Sequence, residues 1–222
     1  MDSVFEIIGP AMIGPSSSHT AGAVRIGLMG RALLNAPPAQ AKIGLHGSFA
    51  STGAGHATDR GLVAGLLGFA PDDERVKDSL QLAPDAGLSV QFFKTDLGEQ
   101  AHPNSARLDL VASGGGVHNL TASSIGGGNI EVIGIDEFPV SITGMLDALI
   151  MHHVDQAGFL AKVTAVLACV AINIATIRTS RHHRGENALT VIETDTPAPA
   201  CAREVLQSIT GVQYLRAIPR LP

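Results

Sequence analysis

Residues 14–27 read GPSSSHTAGAVRIG, a Gly-Pro turn followed by hydroxyl side chains around His19 and then by small and apolar residues. Apolar positions repeat at helical spacing from Ala21 to Ala32, so the hydroxyl run is predicted to lie at a helix N-terminus. Hydroxyl oxygens at such a place can cap free backbone N–H groups, or the N–H groups can hold an anion such as a carboxylate. The spacing leaves two interpretations open: a helix cap beside a solvent-facing His19, or an anion site.

The front of the sequence predicts a mixture of helices and strands. Residues 20–36 are predicted to form a helix that ends before Pro37, and Gly22, Gly27 and Gly30 indicate close packing of this helix against another element. The further elements predicted are a strand at 41–48, a glycine-containing helix near 53–68, an acidic surface excursion at 71–86, strands at 88–95 and 106–112, two strands within 117–135 joined by Gly126, Gly127 and Gly128, and a strand at 137–142.

A different pattern begins near Leu146 and runs to the end of the sequence. Its order is strand, helix, strand, strand, helix, strand, which predicts a ferredoxin-like four-stranded antiparallel sheet with two helices on one face. The strands are predicted at 148–154, 172–179, 188–194 and 212–218, and the helices at 159–170 and 199–210. We therefore predict an α+β protein with a mixed α/β domain at 1–145 and a βαββαβ domain at 146–222.

Composition and charge exclude several classes of protein. The 222 residues are 45% hydrophobic and only 16% charged, which predicts a packed core, and the net charge of -5 argues against a nucleic-acid partner. The apolar tracts 41–70 and 163–177 are interrupted or too short to span a bilayer, and MDSVFEIIGP at 1–10 lacks the basic region of a signal peptide. We expect a cytoplasmic protein without a membrane partner.

The two cysteines, Cys169 and Cys201, fit a reduced compartment. Two thiols this far apart supply too few ligands for a zinc site or an iron–sulfur cluster on this chain alone. We therefore expect no metal bound by this chain by itself.

Four motifs follow one another in the front part: GPSSSHTAGAVRIG at 14–27, GS...TGAGHATD within 47–59, HPNSARL at 102–108 and SIGGGNIEV at 124–132. With these motifs in this order, the chain resembles the β subunit of the iron–sulfur-dependent L-serine dehydratases, also called L-serine deaminases or L-serine ammonia-lyases. The βαββαβ unit that follows looks like an ACT regulatory domain.

The resemblance implies a lyase of serine catabolism and gluconeogenesis. In that family L-serine is dehydrated to aminoacrylate, which becomes pyruvate and ammonia. An oxygen-sensitive [4Fe–4S] cluster, bound by cysteines of an α domain or α subunit, holds the leaving hydroxyl on an open iron. The resemblance therefore implies a heterodimer, in which this chain is the β half and a separate α chain carries the cluster.

Eliminating water from serine needs a base for the α proton, and two histidines are candidates. His56 is one because an imidazole titrates near neutral pH, with Asp59 one turn away to orient it, and His19 is the other. The alternative is a solvated His56 at a helix N-terminus, with Thr58 and Asp59 as caps. The sequence does not choose between the histidines, nor does it exclude a base from the α chain.

The reaction also needs donors for the substrate carboxylate, and short hydroxyls suit a three-carbon substrate because they approach closely without filling the pocket. A simple turn is the alternative interpretation for the motif at 102–104. The candidate contacts to the carboxylate or ammonium group are Ser16, Ser17, Ser18, Thr20, His102 and Asn104.

In ACT domains the loop after the first strand often holds an amino-acid effector, which here implies Asp155, Ala157 and Gly158. Asn173 matches a position that often contacts the same ligand across a dimer interface, so self-association through this domain is also implied. The alternative is a domain that binds nothing and only pairs, with Asp155 as a helix N-cap, Gly158 as a turn residue and Asn173 at a helix end.

A second hypothesis belongs to a different functional class. The front domain also resembles the accessory substrate-binding domain of some phosphoglycerate dehydrogenases, which sits beside an ACT domain and is regulatory. On that interpretation the chain is a non-catalytic sensor of amino acids or small anions that reports to a partner.

Overall fold

The computed structural model describes residues 11–222, so the predictions for residues 1–10 lie outside the described part. The chain divides into two compact units, which are described separately. Among the described residues, the front unit comprises residues 11–137, Ser141–Thr143 and Pro222, and the back unit comprises Phe138–Val140 and Gly144–Leu221. Two separate sheets with helices confirm the predicted α+β class. In the described part of the chain, no helix is both long enough and apolar enough to cross a membrane.

The regular elements up to residue 142 are α1 (Gly22–Leu34), β1 (Pro38–Leu45), α2 (Gly47–Thr52), α3 (Thr58–Leu67), α4 (Ser79–Asp85), β2 (Ser89–Lys94), β3 (Ser105–Ala112), β4 (Val117–Gly126), β5 (Asn129–Ile135) and β6 (Phe138–Ile142). Short helical turns at Ser17–Ala21, Gly53–His56 and Glu74–Asp78 accompany these elements. The front sheet has the strand order β2-β1-β3-β4-β5-β6, in which β1 pairs parallel with β2 and antiparallel with β3.

Glycines allow α1 and α3 to approach each other backbone to backbone. A Cβ added to Gly27 would overlap the Leu62 carbonyl oxygen, and one added to Gly65 would overlap the Val24 carbonyl oxygen. A Cβ on Gly61 would lie 2.8 Å from the Thr20 carbonyl oxygen, shorter than real Cβ contacts. The predicted role of the helix glycines in close packing is therefore confirmed for Gly27.

The same helix also lies close to the sheet through its other two glycines. A Cβ on Gly22 would overlap the Ser124 hydroxyl of β4, and one on Gly30 would lie 2.9 Å from Leu110 of β3. At its end, Asn35 adopts a left-handed conformation with φ 53°, and its N–H bonds to the carbonyls of Ala32 and Arg31. The helix thus begins beside β4 and stops before β1.

The prediction of one helix near 53–68 is wrong, because the helical conformation is interrupted at Ala57. Residues Gly53–His56 form a 3-10 turn, and Ala57 has φ 59° before α3 begins at Thr58. Two glycines in the turn carry low helix propensity, which lets the backbone leave the α-helical path there. The break frees the His56 carbonyl, which accepts a hydrogen bond from the Thr20 hydroxyl at 2.9 Å.

Two further front-unit predictions need correction. The acidic stretch 71–86 contains a 3-10 turn and α4, and its turn starts where the Asp73 carboxylate accepts the Arg75 N–H at 2.9 Å. The strand predicted at 41–48 is β1 at Pro38–Leu45, so Ser48 belongs to α2.

The predicted joining of two strands by Gly126, Gly127 and Gly128 is confirmed, since all three have positive φ where β4 turns into its partner β5.

The back unit has the predicted order of elements. They are β7 (Asp147–Val154), α5 (Phe159–Cys169), β8 (Ile174–Arg181), β9 (Asn187–Thr194), α6 (Ala200–Ser208) and β10 (Val212–Ile218). The strands form an antiparallel sheet in the order β10-β7-β9-β8. Both helices cover one face of this sheet, because Phe159, Val163 and Leu167 of α5 and Leu206 of α6 share a core with Met151.

Replacing Gly65 by Ala tests the backbone contact between α1 and α3. The new methyl group would collide with the Val24 carbonyl oxygen, and we expect the free energy of unfolding to fall by about 1–3 kcal/mol in denaturant titrations. Gly114→Ala is the matched control, since a Cβ at Gly114 meets nothing within 4 Å, and we expect a change below about 1 kcal/mol. Equal stability of the two variants would contradict the close approach.

Candidate functional site

Two histidines from separate motifs meet in the front unit. The ring centroids of His19 and His56 are 5.1 Å apart, with planes inclined at 44°. His19 lies on the π-helical turn Ser17–Ala21, a rare conformation that is frequent at functional sites, and His56 ends the 3-10 turn before α3. The Thr20 hydroxyl ties the two turns together through the His56 carbonyl.

The His19 ring is held by two hydroxyls and one aromatic ring. Its Nε2 lies 3.2 Å from both Ser48 Oγ and Thr52 Oγ1 of α2, and its ring meets Phe49 edge to face at 5.3 Å between centroids. Burial lowers the pKa of His19, and the neighbouring His56 lowers this pKa further. His19 is therefore a neutral imidazole at pH 7.

His56 is exposed, and one of its ring nitrogens is already engaged. Its Nδ1 lies 3.0 Å from the Thr52 carbonyl oxygen. A carbonyl only accepts hydrogen bonds, so in the neutral imidazole Nδ1 carries the proton and Nε2 has the lone pair. The arrangement presents Nε2 as a proton acceptor toward solvent.

Asp59 does not contact His56 among the described residues. Its carboxylate accepts the Arg60 N–H at 2.8 Å and lines a groove with Leu80 of α4 and Val90 of β2. The atom that orients the His56 ring in the structure is the Thr52 carbonyl oxygen.

The hydroxyls of the first motif divide into two groups. Ser16 is a cap, since its Oγ accepts the His19 N–H at 3.1 Å, and Thr20 is buried and bonded to His56. Ser17 and Ser18 are half-buried, and within residues 11–222 their hydroxyls make no hydrogen bond. Two of the four predicted hydroxyls thus remain available to a ligand.

The loop carrying His102 and Asn104 lies against α2. The Pro103 carbonyl accepts the Ser48 N–H at 2.7 Å, and His102 Nδ1 accepts the Asn104 N–H at 3.1 Å. The loop is therefore a turn that caps α2, with an exposed His102 ring and a half-buried Asn104. It brings the third motif beside the hydroxyls that hold His19.

Sequence reasoning did not assign roles to Ser48, Phe49 and Thr52, which surround His19. Ser48 and Thr52 belong to the second motif, but the strand predicted at 41–48 included Ser48 and so concealed its place in α2. Two buried hydroxyls nearby, on Thr58 and Ser124, have no hydrogen-bond partner within the described residues.

The described residues include no set of side chains that fits an iron–sulfur cluster. Among the described residues no group of three or more His, Cys, Asp or Glu side chains could hold a metal ion. Cys169 and Cys201 are exposed, and both belong to the back unit.

In the predicted effector loop of the back unit, the Asp155 side chain is already hydrogen-bonded, whereas the space beside Gly158 is empty. Asp155 accepts hydrogen bonds from Arg181 at 2.6 Å and from the Gly185 N–H at 3.1 Å, and the Gly185 bond, followed by Arg181, lowers the pKa of Asp155. Gly158, with φ 80°, precedes α5 without a side-chain cap, and a Cβ there would meet nothing within 4 Å. The exposed Ala157 lies between them.

Asn173 lies at the other end of the back sheet. Its amide donates to Asp195 at 2.7 Å, and β8 begins beside it where Ile174 pairs with Thr194. The Asp155 loop follows the end of β7, where Val154 pairs with Asn187. Within one copy of the chain, Asn173 and the loop cannot touch one small ligand.

Comparison with known proteins identifies the family of this α+β chain. A family model described as serine dehydratase beta chain matches residues 3–133. The L-serine dehydratase beta chain of Peptoniphilus asaccharolyticus is 38% identical over 211 residues, which are 95% of this chain and 94% of that protein. The probable L-serine dehydratase beta chain of Bacillus subtilis is 42% identical over 193 residues, 87% of each chain. The chain belongs to the serine dehydratase beta chain family.

A more distant similarity involves another enzyme. The D-3-phosphoglycerate dehydrogenase of Synechocystis is 26% identical over 110 residues, which are 49% of this chain and 20% of that protein. The similarity covers only part of both proteins.

The lowered pKa of His19 predicts a pH dependence of stability. Because the unfolded chain binds the His19 proton at a higher pH than the folded chain, stability is full above about pH 6.5 and decreases as the pH falls toward the folded-state pKa. We expect His19→Gln to show a smaller decrease in Tm between pH 7.5 and 5.5 than the native chain. His153, whose pKa burial also lowers, would maintain part of the dependence in both proteins. An identical decrease in both proteins would contradict the prediction.

Proposed function

We propose that the chain is the β subunit of a heteromeric L-serine dehydratase, which converts L-serine to pyruvate and ammonia together with a separate α chain. The observation that carries the proposal is the pairing of His19 and His56 at 5.1 Å, in a chain that is 38% identical to a β chain of that enzyme.

His56 is the base that this chain offers for the α proton of serine. Its Nδ1–H is held by the Thr52 carbonyl, which leaves Nε2 as an exposed lone pair. His19 is less suited to accept the proton, because its Nε2 already lies between two hydroxyls. His19 instead stays neutral beside His56, so that a proton on His56 faces no second cation.

Ser17 and Ser18 are the hydroxyls proposed to bind the substrate carboxylate. They lie on the turn that carries His19 and leads into the positive end of α1. Removal of the α proton and departure of the β-hydroxyl give aminoacrylate and water. Aminoacrylate then tautomerises to an imine, and water hydrolyses the imine to pyruvate and ammonia.

We place the [4Fe–4S] cluster on the α chain, because the described residues of this chain provide no ligand set for it. The roles proposed for this chain are therefore limited to proton abstraction and carboxylate binding. The site is completed only when the α chain covers the two histidines, and a cytoplasmic location would suit such an enzyme.

The back unit is proposed to be an ACT domain that pairs with a second copy and binds an amino acid. Its support is the strand order β10-β7-β9-β8 and the open backbone at Ala157 and Gly158. Since Asn173 lies at the opposite end of the sheet, a ligand shared by both places needs Asn173 of a second copy. The free edge of β8, adjacent to Asn173, is the edge proposed to pair.

The role of His56 as the base can be tested in the assembled enzyme. We expect His56→Gln, purified anaerobically with the cluster-loaded α chain, to lower kcat by about 100-fold or more, because general-base catalysis contributes at least that much. His183→Gln, an exposed histidine of the β8–β9 loop, is the matched control and should keep native kcat. Serine deamination by this chain alone, or none by the native pair, would overturn the proposed function.

The non-catalytic sensor is the second candidate, and its support is the similarity to a phosphoglycerate dehydrogenase. Calorimetry with L-serine on the isolated chain separates the two functions. If the front site binds the substrate, Ser17→Ala and His56→Ala should weaken serine binding there by about tenfold each, the size expected for loss of one hydrogen bond. Tight binding unaffected by both changes, with an inactive pair, would favour the sensor.

A further inference from the structure

A small cavity lies in the back unit, at the end of the sheet where β7 begins and where β9 and β10 end. Its volume is about 190 Å³, the scale of a small metabolite. No residue of this cavity belongs to the loop at Asp155–Gly158. The residues that define its chemistry are Asp147, Leu149, Thr194, Ala198, Arg203 and Ile218.

Two opposite charges line this cavity without pairing with each other. Within the described residues the Arg203 guanidinium makes no hydrogen bond or ion pair. From the part of the chain that the structure describes, the Asp147 carboxylate accepts only the Arg220 N–H, at a long 3.4 Å. A cation and an anion that face one cavity and remain apart can be joined by a ligand that carries both charges.

Arg203 is the fourth residue of α6, and Ala198, another cavity residue, lies two residues before this helix. The helix has nine residues, its N-cap is Pro199 without a side-chain hydrogen bond, and its first turn contains no acidic residue. The helix dipole therefore favours an anion close to Arg203.

Part of the cavity wall is aliphatic. Leu149, Ala198 and Ile218 contribute apolar surface, whereas the Thr194 hydroxyl already donates to the Thr196 carbonyl at 2.9 Å. A polar side chain on the ligand would lose hydrogen bonds to water without replacement. An aliphatic side chain is therefore favoured.

We propose that this cavity binds a small aliphatic α-amino acid, with its carboxylate on Arg203, its ammonium group on Asp147 and its side chain against Leu149 and Ile218. The site is separate from the Asp155 loop, because Leu149, the cavity residue of β7 nearest to the loop, precedes Asp155 by six residues, about 20 Å at 3.3 Å per residue. It does not depend on the reaction proposed for the front unit.

Calorimetry on the full chain with L-valine as the probe tests the proposal. We expect saturable one-to-one binding, and at least about tenfold weaker binding of 3-methylbutanoate, which lacks the ammonium group, and of isobutylamine, which lacks the carboxylate. L-Serine should also bind at least about tenfold more weakly, since its hydroxyl would face aliphatic walls. No binding of valine at millimolar concentration, or equal binding of 3-methylbutanoate, would overturn the proposal.

Variants locate the site. Arg203→Gln and Asp147→Asn should each weaken valine binding by about tenfold or more and reduce the increase in Tm that valine produces. Arg184→Gln, the same charge change in the exposed β8–β9 loop, is the matched control and should bind valine like the native chain. Valine binding that survives both cavity variants would place the ligand elsewhere and refute the assignment.

Discussion

The backbones of α1 and α3 lie closer together than side chains would allow, and the front site depends on this contact. Gly27 and Gly65 face carbonyl oxygens of the opposite helix at positions where a Cβ would overlap. Because the helices meet at these glycines, the π-helical turn before α1 and the 3-10 turn before α3 lie side by side. The hydrogen bond from Thr20 to the His56 carbonyl is possible only in this arrangement.

The two imidazoles at this contact differ in a way that gives them different chemistry. His19 is half-buried between hydroxyls and Phe49, and its lowered pKa keeps it neutral. His56 is exposed, with its proton fixed on Nδ1 by a main-chain carbonyl. Neighbouring histidines can serve one reaction when only one of them accepts a proton, so the difference in environment is as important as their distance.

Local patterns account for most of the fold that could be predicted. Apolar periodicity and the positions of glycine and proline indicated the α+β class, the βαββαβ order of the back unit and the hairpin at Gly126–Gly128. The errors occurred where short-range signals compete, as at Ala57, where the left-handed conformation interrupts a segment with helical spacing. A single residue with positive φ that is not glycine leaves almost no trace in a sequence.

By itself, the sequence determined the family motifs, their histidines and hydroxyls, and the absence of a cysteine set able to hold a cluster. Only the tertiary structure decided how these residues are used. In it, Ser16 caps the His19 N–H and Thr20 bonds to the His56 carbonyl, whereas Ser17 and Ser18 have no partners among the described residues. The Asp59 carboxylate bonds to the Arg60 N–H rather than to His56. The reason is that the contacts of His19 with Ser48 and of Thr20 with His56 join segments about 30 or more positions apart, and their geometry follows from helix packing rather than from local spacing.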